Sequence, residues 1–183
     1  MNKRLKIIGI AVTLLIILLL VYLFLTTAVF SFYSVKTSDM APFFEEKDLI
    51  YISKTAYNKA EPKRGDIILF TSAKDKELLS RVIGLPGDLV QIRNGNLYIN
   101  DVLIQESYLA ATPEYPAQSY EYSTVVPLNY YFVLCDNRTC EKDSRNADIG
   151  FVDLLSIKGK AVRILSPKAH AGIISDGALT NEN

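Results

Sequence analysis

From residue 7 to residue 30 the chain reads IIGIAVTLLIILLLVYLFLTTAVF, with no charge, and beyond it the pattern breaks into short apolar runs separated by polar turns. The first stretch exceeds the roughly 20 apolar residues a helix needs to cross a bilayer. It also exceeds the about 7–15-residue apolar stretch of a cleaved signal peptide, so it reads as a retained anchor. A buried core helix of a small domain would not be apolar on every face. Lys3, Arg4 and Lys6 precede the run. A basic flank stays on the cytoplasmic side, which predicts residues 1–6 inside the cell, 7–30 across the membrane and the remainder outside it.

After the anchor the period is that of strands. SFYSVKT (31–37), KDLIYISKTAY (47–57), DIILFTSA (66–73), LLSRVIGL (78–85), YYFVL (130–134) and GKAVRILSP (159–167) are rich in branched and aromatic residues, which suit a pleated surface. PKRG (62–65) and PGD (86–88) read as turns, and LVQIRNGNLYINDVLI (89–104) as a hairpin whose NGN tolerates positive φ. Residues 106–127 contain three Pro, show no period and read as an irregular surface excursion. Residues 135–150 read as a long polar loop, and 168–183 as a tail expected to fray. The fold class is therefore all-β: one domain, 31–167, of antiparallel sheets forming a barrel or sandwich behind one transmembrane helix.

Composition narrows the function. Twenty acidic residues balance twenty basic ones, which leaves no electrostatic footprint for nucleic acid. Cys135 and Cys140 close the short segment CDNRTC in a compartment where disulfides persist, and the spacing allows either a bridge in a bent turn or two free thiols. With the single His170 they cannot complete a four-ligand structural zinc site without help from a carboxylate. No metal or other cofactor is expected, and nothing in the sequence sets an oligomeric state.

Three blocks carry candidate chemistry: TSDMAPFF (37–44); KRGDIILF (63–70) followed by SRVIGLPGD (80–88); and CDNRTCEKDSR (135–145). In order and spacing they resemble the conserved boxes of type I signal peptidases, membrane-anchored serine endopeptidases. The resemblance implies a β fold of that type and assigns roles position by position. Asp39 stands where the family has its nucleophilic Ser, and Ser80 where it has the general-base Lys. Cys135 replaces a Gly and Glu141 replaces a Ser that helps hold the Lys. Asp136, Asn137, Arg138, Asp143, Ser144 and Arg145 match the family scaffold. Thr37, Met40, Pro42 and Phe43 fall where the family's peptide groove lies, although Phe43 and Phe44 also read as core.

The substitutions bear on the reaction. A Ser/Lys pair works when burial lowers the Lys pKa enough for a neutral amine to take the hydroxyl proton. A Ser cannot replace that base, and a carboxylate at the nucleophile position opposes a developing oxyanion. Three neighbours could in principle rescue the reaction. Ser38 should face away from Asp39 if the segment is extended, Lys142 beside Ser144 reads as a solvated charge, and His170 lacks a triad context. A hydrogen bond from Ser80 to Asp39 would keep the groove shaped; the alternative is that both side chains simply face water. The resemblance is nearest to Gram-positive members with substituted dyads that serve assembly of sortase-linked pili. It implies a non-catalytic assembly factor with a pilin or sortase partner. The alternatives are an active signal peptidase with an unconventional nucleophile and a decoy that sequesters signal peptides.

Overall fold

In the computed structural model, residues 3–74, 76–109, 121–175 and 178–180 are described. Helix α1 spans Lys3–Val29 and passes directly into β1 (Phe30–Ser34). The stretch Lys6–Phe24 is long and apolar enough to cross a membrane and is not buried against the rest of the chain.

Twelve further strands follow: β2 (Leu49–Ser53), β3 (Ile67–Thr71), β4 (Glu77–Gly84), β5 (Leu89–Arg93), β6 (Asn96–Ile99), β7 (Val102–Leu103), β8 (Tyr122–Val125), β9 (Tyr130–Leu134), β10 (Val152–Asp153), β11 (Ile157–Ser166), β12 (Gly172–Ser175) and β13 (Ala178–Thr180). All pairings are antiparallel among the described residues. The larger sheet runs β1-β2-β11-β3-β4-β9-β10, with β12 and β13 extending from β11, and a four-stranded sheet runs β7-β6-β5-β8. The larger path does not return on itself, so no closed barrel forms.

Burial follows position in the sheets. β2 and β5 alternate between buried and partly buried positions, as strands with one covered face do. β3 is buried at four consecutive positions because both of its faces are covered. Ile67 and Leu69 pack with Phe44, Ile50 and Ile164, while Ile68 and Phe70 pack with Val82 and Val133. A third cluster, including Val90, Ile92, Leu97 and Phe132, joins the two sheets. Where they meet, a Cβ on Gly84 would lie 2.6 Å from a methyl of Val90 and 2.9 Å from Cβ of Phe132. The predicted hairpin turns on Asn94 (φ 50°) and Gly95 (φ 75°).

Three departures from the sequence expectation have local causes. β8 rises from the stretch read as irregular, because Tyr122–Val125 alternate inward and outward along β5; residues 110–120 of that stretch lie outside the described residues. β10 is a two-residue pairing at the end of the long polar loop, too short to carry a period. The tail does not simply fray after residue 167: β12 pairs with β11 and seats Ile174 in the core.

Candidate functional site

The first block is not a strand at its centre. Ser38–Met40 form a single 3-10 turn that seats Met40 in the core and leaves Ser38 exposed. The alternation argument for Ser38 therefore fails, since side chains in such a turn fan out at about one third of a revolution per residue. Asn137 holds the turn from the third block: its N–H donates to the Asp39 carbonyl (3.1 Å) and its Nδ2 to the Ser38 carbonyl (3.4 Å).

The Asp39 carboxylate is held by two donors. Thr37 Oγ1 donates to Oδ2 at 2.5 Å, and the Lys142 Nζ ammonium lies 2.9 Å from the same oxygen. Its side chain is 21% exposed and that of Lys142 is 50% exposed. The Lys142 contact, between residues 103 apart in sequence, escaped the sequence reading, which paired Lys142 only with Ser144. Ser144 is instead buried and accepts the Val133 N–H at 2.9 Å. No periodicity signals a contact of that kind.

The expected hydrogen bond from Ser80 to Asp39 is absent. Ser80 lies opposite Ile68 on β3 and so shares its face of the sheet. It is fully buried, and its hydroxyl has no hydrogen-bond partner among the described residues. The register of β4, with Leu79 and Arg81 on the other face, commits it to that position.

Beside this turn the third block forms a braced loop. Cys135 and Cys140 are joined as a disulfide, which settles the two possibilities left by the sequence. Asp143, fully buried, receives Arg145 through Nε (2.9 Å) and an Nη (2.7 Å), and the Cys135 N–H (3.2 Å). Arg145 also donates to the carbonyls of Arg138 and Cys140. Asp136 receives Nε and Nη2 of the buried Arg81 at 2.8 and 2.6 Å. Arg138 pairs with Glu106 and contacts the Tyr108 hydroxyl. Burial, then the Glu106 charge, pushes the Tyr108 phenol far above its usual range. Asp143 and Arg145 thus brace the loop, Asp136 ties it to β4, Asn137 to the Asp39 turn and Arg138 to Glu106 and Tyr108.

A cavity of about 910 Å³ opens over the turn, lined by Val35, Thr37, Asp39, Met40, Leu79 and Lys142 among others. Glu141 also lines it. Pro42 and Phe43 do not: Pro42 is exposed, while Phe43 packs edge-on against Phe44 (5.0 Å) with the Arg81 guanidinium 4.9 Å from its ring centre. His170 lies elsewhere, its Nδ1 2.9 Å from the buried Asp48. The only cluster of potential metal ligands among the described residues is Cys135, Cys140 and Asp143. Its two sulfurs are spent in the disulfide.

Two antiparallel sheets behind one membrane-length helix, with the first and third sequence blocks meeting at a groove, define the class. The sequence profile of the family described as signal peptidase, peptidase S26, matches residues 7–165, and the chain belongs to that family. A probable signal peptidase I-2 of Synechocystis is 36% identical over 152 residues, covering 79% of this chain and 66% of that protein. Signal peptidase I of Bacillus caldolyticus is 36% identical over 142 residues, covering 72% of this chain and 77% of that protein. A crystallised signal peptidase I of Enterococcus faecalis V583 shares 35% identity at a TM-score of 0.48, over 58% of this chain and 97% of the crystallised one.

Proposed function

We propose that this chain is a non-catalytic member of the signal peptidase family, anchored by α1 with its N-terminus in the cytoplasm and its β domain outside. There it serves as an assembly factor for sortase-linked surface pili, with a pilin or the sortase as partner. The observation that carries the first part is the state of the two positions to which the family resemblance assigns the reaction. Asp39 is an ion-paired carboxylate, and Ser80 a buried, unpartnered hydroxyl. Neither supplies a nucleophile with a base in reach, as acyl transfer requires. The scaffold around them is fully braced, so the groove persists without the reaction.

Membrane association is supported by the family and by α1, and peptide binding by the groove. The pilus role rests on the resemblance to family members with substituted dyads. A deletion strain tests it: loss of surface pili with general secretion intact is expected, and impaired secretion with normal pili would overturn it. For the chemistry, the full-length protein in detergent is incubated with a peptide carrying an Ala-x-Ala site. Intact peptide is expected; turnover abolished by Ser38→Ala would instead establish an unconventional nucleophile.

A further inference from the structure

Asp39 already carries an ammonium. Lys142 places Nζ 2.9 Å from Oδ2 with half of its own side chain in solvent, inside a cavity large enough for a segment of polypeptide. We propose that the groove beside Asp39 binds a primary ammonium group borne on an extended polypeptide, and that Lys142 is the internal occupant which the ligand displaces. This deepens the non-catalytic reading and rests on it.

Four features support it. Both donors to the carboxylate fall on Oδ2, and Oδ1 accepts from none of the described side chains, so one oxygen is left for an incoming donor. The displaced group is a flexible side chain on a braced loop: the disulfide and Arg145 hold the backbone, and only the Lys142 stem has to move. The walls nearest the turn, Val35, Met40 and Leu79, are apolar and can pack against a stem or a backbone. Tyr33 lines the same cavity, and burial, then the charges of Glu77 and Asp39, raise its phenol above its usual range. Lys36, Lys74, Lys76 and Lys158 line the same cavity together with Glu77, Glu141 and Asp148, so the lining as a whole is no acidic patch, and the contact offered to an ammonium at this point is the Asp39 carboxylate itself. A free carboxylate at this point would meet Asp39 and be rejected.

A primary ammonium comes from two sources, a free chain N-terminus or a lysine side chain. The full-length protein in detergent is titrated at low salt with three otherwise identical extended peptides. One has a free N-terminus and no lysine, one is N-acetylated with a single lysine, and one is N-acetylated without lysine. At least one ammonium-bearing peptide is expected to bind about tenfold tighter than the third, the size of one charge-assisted hydrogen bond. Which of the two does so identifies the source.

Asp39→Asn, nearly isosteric, should abolish the preference. Lys142→Ala should strengthen binding about threefold, because it removes a competitor of half-exposed ion-pair strength. Equal binding of all three peptides, a preference surviving Asp39→Asn, or weaker binding by Lys142→Ala would overturn the inference. Mass spectrometry of the titrated peptides separates the two levels. Intact peptides with no preference sink the ammonium site alone, whereas cleaved peptides sink the non-catalytic reading and this inference with it.

Discussion

Arg81 and Asp136 meet through two parallel hydrogen bonds of 2.8 and 2.6 Å, with both side chains fully out of solvent. The guanidinium also donates to the Gly65 carbonyl (3.1 Å) and lies 3.9 Å from the centre of the Tyr108 ring. This joint ties β4 to the segment that begins the third block, one residue before Asn137 grips the Asp39 turn. Removing one partner leaves the other as an uncompensated buried charge. Asp136→Ala should therefore cost about 3–5 kcal/mol. Denaturant unfolding in detergent checks it. Arg81→Met combined with Asp136→Leu should recover most of the loss, since no charge then remains buried; a double variant as unstable as the single one contradicts the argument.

Ser80→Ala should be neutral or stabilising by up to about 1 kcal/mol, because it deletes a buried hydroxyl that finds no partner among the described residues while keeping the strand register. Thermal unfolding of the two proteins side by side tests this. A clear loss of stability would mean the hydroxyl has a partner after all.

Reducing the disulfide, or Cys140→Ser, should cost roughly 2 kcal/mol, the chain-entropy value for so short a loop. The loop should nonetheless keep its place, since Arg145 holds the Arg138 and Cys140 carbonyls. Hydrogen exchange at the Asn137 amide is the readout. Loss of protection there, with the rest of the sheet unchanged, would show that the disulfide rather than Arg145 fixes the loop.

Acid should destabilise the fold partly through Asp88. Burial alone would raise its pKa, but the Leu85 N–H, Asn100 and Arg64 outweigh it and hold the carboxyl below its ordinary 3.8. The donors sit at 2.7, 2.8 and 2.9 Å. A carboxyl with a lower pKa folded than unfolded stabilises fully above the unfolded value and loses that contribution as the pH falls through the folded one. Stability should drop with acidification below about pH 4, and Asp88→Asn should flatten that part of the profile. An unchanged slope in the variant counts against the assignment.

Several of these particulars were visible in one dimension. The membrane-length helix, the hairpin on Asn94 and Gly95, and β2, β3, β4, β9 and β11 follow from apolar run length and turn chemistry. The scaffold residues from Asp136 to Arg145 were legible as a block. β8, β10 and β12 were not, because short strands acquire their pattern only from the neighbour they pair with.

The sequence alone determined which residue types stand at the decisive positions: an acid at 39, a hydroxyl at 80, two cysteines five apart, an uncharged anchor ahead of a strand-rich domain. Tertiary structure decided what those residues do. It paired Asp39 with Lys142 rather than Ser80, closed the disulfide, and left the Ser80 hydroxyl buried and unpartnered. The physical reason is range. Propensity and periodicity act over a few neighbouring residues, whereas an ion pair between residues 103 apart exists only once loop and sheet have fixed the two ends in space.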